Sequence, residues 1–328
     1  MRELRSKNVL ITGGLGFIGS NIAQRCVSLG AKVTIYDACL DPYGWNFANI
    51  KEIKDKVNFV RGDTRNFSLL KKHIQGKHII FDCAAQISHM ISVKEPLLDV
   101  DITVRGGLNV LEAARQLNSS ARLVYASTRG VIGKMLHRPV DESHPTNPVD
   151  VNGINKLAVE KYYMLYHRVH QMKTSAVRIN NAYGERGQMR HGDYGIVNWF
   201  IRKAMLGEQI TINGPGTQTR DYLHISDVVD AMLLAAVKKE AIGQVFNIGS
   251  GTETKFIGMC NMILKATGSR MKIAHGLWPK DRKAIEIGNI VFSSKKILDM
   301  LGWQPKVSLE DGLRRTVDFY RKRKEAYF

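Results

Sequence analysis

The sequence predicts an α/β protein with a doubly wound parallel sheet and a smaller lobe in the second half of the chain. Short β-branched runs alternate with segments of helical periodicity over the first 180 residues. A cluster of glycines joins the first strand-like run to the first helical segment. Hydrophobic residues make up 44% of the 328 residues, which is enough to bury a substantial core.

The elements of the first half follow one another in a regular order. A β-branched run at residues 9–12 predicts the first strand, and apolar residues recur with helical spacing over 17–29. Residues 32–36 form the next strand-like run, before a polar loop that contains Pro42 and Gly44. Further strands are predicted at residues 57–60, 79–81, 123–126 and 175–178. Further helices are predicted at residues 68–73, 104–117 and 153–170.

The pattern changes near residue 181, where strand signals become fewer. A polar, glycine-bearing loop at 186–194 precedes an amphipathic helix predicted at 196–206, and a turn-rich segment surrounds residues 214–216. A short apolar run at 245–248 predicts a strand that returns to the main sheet. The last helix is predicted at 309–324. The basic run at its end fits a solvated helix terminus better than a nucleic-acid patch.

The composition indicates which kinds of ligand the protein can bind and in which cellular compartment it is expected. The net charge of +18 suits anionic ligands, from nucleic acid to small phosphates. Four cysteines lie far apart in the sequence, so neither a zinc site nor a disulfide framework is expected, and we predict a reducing cytoplasm. The polar start of the chain does not resemble a targeting signal, and no run is long enough to span a membrane.

The glycine cluster has the spacing of a phosphate-binding turn. Gly13, Gly16 and Gly19 lie between the first predicted strand and helix, with Phe17 and Ile18 at the start of that helix. Glycines allow a tight turn and a close approach of the backbone, so that a pyrophosphate can rest on the helix amides. Any tight strand-to-helix turn can require glycine, but the strand context favours a dinucleotide site.

Asp37 indicates which dinucleotide binds. This carboxylate ends the second predicted strand, eighteen residues after Gly19, and would accept hydrogen bonds from the adenosine ribose hydroxyls. It would also repel a 2′-phosphate, and Ala38 and Cys39 follow it rather than Arg or Lys. The sequence therefore predicts NAD rather than NADP. The alternative is an ordinary turn carboxylate.

Several further segments occur in a specific order. They are Gly62-Asp63-Thr64-Arg65, Ala84-Ala85-Gln86, the R-x-x-N-x-Y-G-x-R segment from Arg178 to Arg186, the G-x-G-x-Q-x-R-D segment from Gly214 to Asp221, and Leu301-Gly302-Trp303-Gln304-Pro305. Together with the glycine turn, they make nearly the whole chain similar to the extended short-chain dehydrogenase/reductase family. The resemblance is to its NAD-dependent nucleotide-sugar epimerase/dehydratase group.

This resemblance implies a Rossmann-type NAD-binding domain over residues 1–180 and a mainly substrate-binding lobe over 181–328. It adds cofactor-binding residues to the glycine turn and Asp37, namely Asp63, Thr64, Ala84, Ala85, Gln86 and Lys156. It also implies a homodimer, formed through the predicted helices at 104–117 and 153–170.

The resemblance implies a nucleoside-diphosphate sugar as substrate. Arg220 is expected to bind a diphosphate oxygen, because a guanidinium offers a fixed bidentate fork. Asn181 matches the position that holds the phosphates or the sugar, and Arg282 is a second candidate clamp. The alternative for Arg220 is a salt bridge with Asp221 or Asp227.

Catalysis in this family uses a Ser or Thr, a Tyr and a Lys. Thr128 and Lys156 match two of these positions, but Asn152 stands where the Tyr is expected. An amide cannot act as a phenolate base. Thr103 also replaces an expected Asn. His89 is a candidate replacement base, because imidazole titrates in a useful range, but a structural role is the favoured interpretation.

The residues after Thr128 restrict which reaction of the family is expected. Dehydratases of the family place Asp-Glu there, whereas this chain has Arg129-Gly130. Epimerisation through oxidation at C4 and reduction from the other face is therefore the expected activity. Two alternatives stay open: a catalytically impaired relative that binds NAD and nucleotide sugar, and a nucleic-acid or partner-binding protein on the same scaffold.

Overall fold

The computed structural model describes residues 2–328 and confirms the α/β fold class. Strands and helices alternate through the first half of the chain. The strands are β1 (Asn8–Thr12), β2 (Lys32–Asp37), β3 (Val57–Arg61), β4 (Ile79–Asp82), β5 (Arg122–Thr128), β6 (Lys173–Ile179), β7 (Asn181–Tyr183), β8 (Thr211–Asn213), β9 (Thr219–His224), β10 (Val245–Ile248), β11 (Glu253–Lys255) and β12 (Ala274–Gly276).

Thirteen α-helices accompany these strands among the described residues. They are α1 (Phe17–Ser28), α2 (Phe67–Ile74), α3 (His89–Lys94), α4 (Pro96–Asp99), α5 (Gly106–Leu117), α6 (Val151–His170), α7 (Ile196–Met205), α8 (Ile225–Val237), α9 (Phe256–Thr267), α10 (Lys280–Ala284), α11 (Lys295–Leu301), α12 (Leu309–Arg321) and α13 (Lys324–Tyr327). A π-helical stretch, Val100–Arg105, joins α4 to α5, and a 3₁₀ helix spans Phe47–Lys56.

The central sheet has seven parallel strands in the order β10-β6-β5-β4-β1-β2-β3. Val9 of β1 pairs with Val33 of β2 on one side and Ile79 of β4 on the other. The chain therefore reverses its direction of winding at β1. The carboxyl ends of β1 and β4 then border a crevice, which is where ligands bind in open α/β sheets.

Buried side chains cover both faces of this sheet. Alternate residues of β1 show the division, since Val9 and Ile11 pack with α1 and α8, whereas Leu10 packs with α2, α5 and α6. Strands buried on both faces must be almost continuously apolar. This requirement explains why the β-branched runs in the sequence predict their positions so closely.

The second half of the chain builds a smaller layer against the sheet. Its strands form a three-stranded sheet, β11-β9-β7, and a two-stranded one, β12-β8. Helices α7, α9 and α12 enclose a separate apolar cluster there. β10 lies instead at the edge of the central sheet, parallel to β6. The division into domains at residue 180 stays a prediction.

Two predicted helices differ from those in the structure. The last long helix ends at Arg321 rather than at residue 324, because Arg323 leaves the helical backbone region with φ of −140°. The helix predicted from residue 104 begins, as an α-helix, at Gly106. The preceding residues have π-helical pairing, which apolar periodicity cannot distinguish from α-helix. No helix among residues 2–328 is long and apolar enough to cross a membrane.

Candidate active site

A cavity of about 270 Å³ opens at the carboxyl ends of β1, β2 and β4. The glycine turn after β1 forms one wall, and residues between β7 and α7 form the opposite wall. It is lined by ten of the predicted cofactor-binding residues, namely Gly13, Gly16, Phe17, Ile18, Gly19, Asp37, Asp63, Thr64, Ala84 and Ala85. Gln86 and Lys156 lie outside its lining.

The glycine turn presents free backbone donors to this cavity. Helix α1 begins after Gly16, which provides no side-chain cap, and the N–H groups of Phe17, Ile18 and Gly19 find no acceptor among residues 2–328. Gly13 has φ of +63°, and a Cβ there would lie 2.8 Å from the Cys83 carbonyl oxygen. The turn therefore requires glycine, and the helix terminus is suited to an anion.

Asp37 is held in place by two backbone donors. One carboxylate oxygen accepts from the Leu15 N–H at 2.9 Å, and the other accepts from the Cys39 N–H at 2.9 Å. Burial raises the pKa of Asp37, although both hydrogen bonds oppose that shift. Asp37 lines the cavity, and each of its oxygens has a further lone pair that can accept a hydroxyl donor.

Asp63 and Thr64 form the cavity wall next to β3. Burial tends to raise the pKa of Asp63, but its hydrogen bonds with Arg65 outweigh burial and hold that pKa below its ordinary value. The shortest of these joins Arg65 Nη2 to an Asp63 oxygen at 2.6 Å. Thr64 is buried, and its carbonyl accepts from Asn109 Nδ2 at 2.8 Å. Both residues are therefore fixed before a ligand binds.

Gln86, Thr103 and Asn152 form a buried polar group beside the cavity. The Asn152 amide nitrogen donates to the Gln86 carbonyl oxygen at 2.8 Å, and the Gln86 N–H donates to Thr103 Oγ1 at 3.2 Å. The amide at the expected tyrosine position thus ties α6 to the loop after β4. It offers no basic group.

Thr128 and Lys156 lie on neighbouring elements, at the end of β5 and on α6. Lys156 Nζ is buried and donates to the Ala126 carbonyl oxygen at 2.9 Å. Burial lowers the pKa of this ammonium, and the negative charge of Asp82 opposes that shift. Thr128 Oγ1 accepts from the Gly130 N–H at 3.2 Å, so its hydroxyl proton is available to another acceptor.

Arg129 is a cation beside these groups. Its Nε donates to Asn181 Oδ1 at 2.9 Å, and no described carboxylate forms a salt bridge with it. Burial and the neighbouring charge of Arg220 lower the pKa of Arg129 to about 10, while Glu286 and Asp150 act in the opposite direction. Two guanidinium groups therefore share one partly enclosed region, which favours an anionic ligand there.

Arg220 has an acidic partner, but not one of those predicted. Its Nη2 lies 2.5 Å from a Glu286 oxygen, and its Nη1 donates to the Thr219 and Gly288 carbonyl oxygens. The expected alternative, a salt bridge with Asp221 or Asp227, is wrong. Both of those carboxylates accept backbone N–H groups instead.

Arg282 lies farther along the same segment as Glu286, on the short helix α10. Its Nη2 is 3.6 Å from an Asp193 oxygen, and about a third of its side chain is exposed. The structure therefore turns Arg282 toward the loop before α7. No contact joins it to Asn181 or Arg220 in the described part of the chain.

His89 and Asp150 form a close pair at the start of α6. The distance between His89 Nδ1 and an Asp150 oxygen is 2.6 Å. The other Asp150 oxygen caps the helix by accepting from the Gly153 N–H at 2.7 Å. Across residues 2–328, no group of three His, Cys, Asp or Glu side chains is placed to hold a metal ion.

Comparison with known proteins identifies the family. The sequence model of the NAD dependent epimerase/dehydratase family matches residues 9–249, which include β1 to β10. The chain belongs to this family. The resemblance predicted from the motifs is thereby confirmed, and NAD is the cofactor of this member of the family.

Relatives match over nearly the full length of this family member. A putative UDP-glucose 4-epimerase of Methanocaldococcus jannaschii is 34% identical, with 95% of this chain and 98% of the relative covered. A UDP-glucose 4-epimerase structure from Thermotoga maritima with UDP-glucose has a TM-score of 0.88 at 30% identity, covering 96% and 99% of the two chains. A UDP-glucose 4-epimerase complex with NAD from Thermus thermophilus has a TM-score of 0.85 at 29% identity, covering 96% and 99%.

The residues of this chain fit NAD. The unpaired amides of α1 suit its pyrophosphate, and Asp37 has oxygen lone pairs for ribose hydroxyls. A side chain at Gly13 would obstruct the turn. When bound, NAD accepts or returns a hydride, and the protein supplies binding, orientation and proton transfer.

Sequence reasoning missed several residues of the site. Gln188, Tyr194 and Asn198 line the cavity from the second lobe, but the polar loop that carries two of them has no periodic pattern. For Arg129 the only signal in the sequence is its position directly after Thr128, where dehydratases of the family have an acid. Asp150 carried a usable signal, since an acid just before a helical segment predicts an N-cap.

Proposed function

We propose that the protein is an NAD-dependent epimerase that acts on a nucleoside-diphosphate sugar. A sugar carbon, C4 in the relatives named above, is oxidised to a ketone and then reduced from the opposite face. The relatives described above carry the name UDP-glucose 4-epimerase, putative in one case, which supports a uridine diphosphate sugar as the first substrate to test.

The observation that carries this proposal is the geometry around Thr128. Its hydroxyl proton is free to bind a sugar oxygen, and Lys156 lies on the adjacent helix. Arg129 and Gly130 follow it, so the acids that a dehydratase needs for eliminating water are absent from those positions. Epimerisation requires only reversible hydride and proton transfer, and it therefore fits these residues best.

We assign the diphosphate to the region of Asn181, Arg129 and Arg220. The two guanidinium groups would neutralise the diphosphate charge, since Arg129 has only an amide partner and Arg220 can exchange Glu286 for phosphate. Arg282 would contribute only after leaving Asp193.

A second candidate is a protein that binds both ligands without turnover. The hydrogen bond of Asn152 to the Gln86 carbonyl favours it, because the family's usual base is replaced by a structural contact. The homodimer and the cytoplasmic location stay predictions. Exposed Ile154, Leu165 and Val169 on α6 support the dimer, and light scattering would measure it.

Turnover separates the two candidates. Purified protein with NAD is incubated with UDP-glucose, UDP-N-acetylglucosamine and dTDP-glucose, and the sugars are analysed by proton NMR. We expect interconversion of one epimer pair, with Lys156→Met as the inactive control. Binding of NAD and UDP without any interconversion would favour the binding protein and contradict the epimerase.

A further inference from the structure

The His89–Asp150 pair lies where the family's base is missing. Asn152, at the expected tyrosine position, is two residues after Asp150 on α6. Its side chain is bonded to Gln86, three residues before His89. The start of α3 with the loop before it, and the start of α6 with its N-cap, therefore carry Asn152, its partner Gln86 and the histidine pair.

The pair also faces the substrate side of the site. Asp150 is within electrostatic reach of Arg129, which directly follows Thr128. Arg129 in turn contacts Asn181. The Asp150 end of the pair is thus near the groups to which we assign the diphosphate, and His89 is not among the residues that line the cavity assigned to NAD.

The carboxylate fixes the tautomer of the imidazole. Burial tends to raise the pKa of Asp150, but the hydrogen bond and charge of His89, the Gly153 amide and the charge of Arg129 hold it below the ordinary value. An ionised carboxylate only accepts hydrogen bonds, so His89 Nδ1 must carry the hydrogen. In the neutral imidazole the lone pair is therefore on Nε2, which has no hydrogen-bond partner within residues 2–328.

The exposure of the two side chains also differs. Asp150 is 8% exposed and is fixed by two hydrogen bonds, while 34% of the His89 side chain remains exposed. Because one edge of the ring is anchored and the other is open, a ligand hydroxyl can approach Nε2. This is the arrangement in which a carboxylate orients a histidine that acts as a general base.

We propose that His89 is the proton acceptor in sugar oxidation and that Asp150 is its positioning residue. This inference rests on the proposed epimerase function. The sugar hydroxyl proton moves to His89 Nε2 while the hydride on the same carbon moves to NAD⁺, giving a ketone, NADH and an imidazolium. In the reverse step, as the ketone carbon is reduced from the other face, the imidazolium returns its proton to the ketone oxygen.

The neighbouring groups cannot take this role in the observed arrangement. Asn152 and Thr128 have no basic group at neutral pH. The Lys156 ammonium donates to the Ala126 carbonyl oxygen and is buried. The Asp150 carboxylate already accepts from His89 and from the Gly153 N–H, one at each oxygen. His89 Nε2 is therefore the open proton acceptor of this group.

The first test is His89→Gln, measured with UDP-glucose and NAD. Glutamine can still donate to Asp150 but cannot accept a proton. We expect kcat to fall by roughly 10²–10⁴-fold, the usual contribution of one general acid–base group, with KM and NAD affinity almost unchanged. The matched control is His170→Gln at the exposed end of α6, which should leave kcat unchanged.

A second test separates proton transfer from structure. His89→Ala should regain activity on addition of imidazole, and the rescued rate should increase with the basicity of substituted imidazoles. Asp150→Asn retains an oxygen for the Gly153 N–H but presents an N–H to His89, which reverses the tautomer. Its kcat should fall by roughly tenfold or more, while Asp150→Glu should recover part of the loss. Thermal unfolding checks that each variant is folded.

The outcomes distinguish this inference from the proposed function. If the unmodified protein epimerises UDP-glucose and His89→Gln does so at the same rate, the epimerase stands and the role of His89 is wrong. An inactive His89→Ala variant that no imidazole rescues, although folded, also contradicts the role. Unmodified protein that binds both ligands without turnover overturns the proposed function and this role together.

Discussion

Glu286 forms an ion pair with Arg220, whose guanidinium we assign to the substrate diphosphate. Removing the charge of Glu286 should therefore strengthen diphosphate binding. The Arg220–Glu286 distance is 2.5 Å, and the two side chains are 10% and 26% exposed. A hydrogen bond between charged groups contributes about 1.5–3 kcal/mol. Because solvent screens the partly exposed Glu286, we take about 1–1.5 kcal/mol as the free energy of the ion pair that is lost when phosphate replaces Glu286.

Glu286→Gln should therefore bind UDP about five- to tenfold more tightly, since 1.4 kcal/mol corresponds to a factor of ten. Arg220→Ala should lose about 2 kcal/mol of UDP affinity, while NAD affinity changes little because its cavity lies elsewhere. Calorimetric titration of UDP into the NAD-loaded protein measures both. Glu310→Gln is a matched control, because that residue forms an exposed ion pair with Lys265.

Two results would refute this reasoning. Weaker UDP binding by Glu286→Gln would mean that the carboxylate orients Arg220 for the ligand rather than competing with it. Loss of both UDP and NAD binding in Arg220→Ala would mean that the ion pair maintains the local fold. Measuring the midpoint of thermal unfolding for both variants separates the second case from a direct effect.

Three further predictions concern other parts of the site and the core. Asn152→Tyr in the His89→Gln protein should raise the rate of sugar oxidation by roughly 10²–10⁴-fold, because it places a phenol one helical turn before Lys156. NADH absorbance or epimer formation measures the gain, and no gain despite binding of both ligands would contradict this prediction. Asp37→Ala should weaken NAD binding by about 1–3 kcal/mol and reduce the preference over NADP, and calorimetry showing equal affinities in the unmodified protein would exclude the role of Asp37. Arg178→Ala should lower the free energy of unfolding by about 3–5 kcal/mol in urea titrations, because it leaves the buried carboxylate of Glu160 unpaired; a loss below 1 kcal/mol would be inconsistent with that pairing.

The strands and the cofactor turn were predictable because local sequence determines them. A parallel strand buried on both faces must be apolar, so the apolar run at residues 245–248 predicts a strand with the observed bounds. The glycine turn is similarly constrained, since a Cβ at Gly13 would meet the Cys83 carbonyl. In both cases the local structure depends on the types of a few adjacent residues, so the sequence of that segment is enough to predict it.

Pairings between distant residues were not predictable in the same way. Glu286 follows Arg220 by 66 residues, and Asp150 follows His89 by 61. Several acids were available to each cation, and only the tertiary fold decides which one reaches it. The predicted partners of Arg220 were close in sequence, but backbone N–H groups had already engaged their carboxylates.

The position of β10 has a consequence for the synthesis of the protein. The outermost strand of the central sheet is contributed by residues 245–248, and it pairs with β6, which ends at residue 179. During synthesis, one edge of β6 therefore stays unpaired until about 65 further residues have been made and β10 follows. Unpaired strand edges template association between chains. A fragment that stops at residue 180 keeps that edge permanently open, so nascent chains and shortened forms are more exposed to aggregation and to chaperone binding than the finished protein.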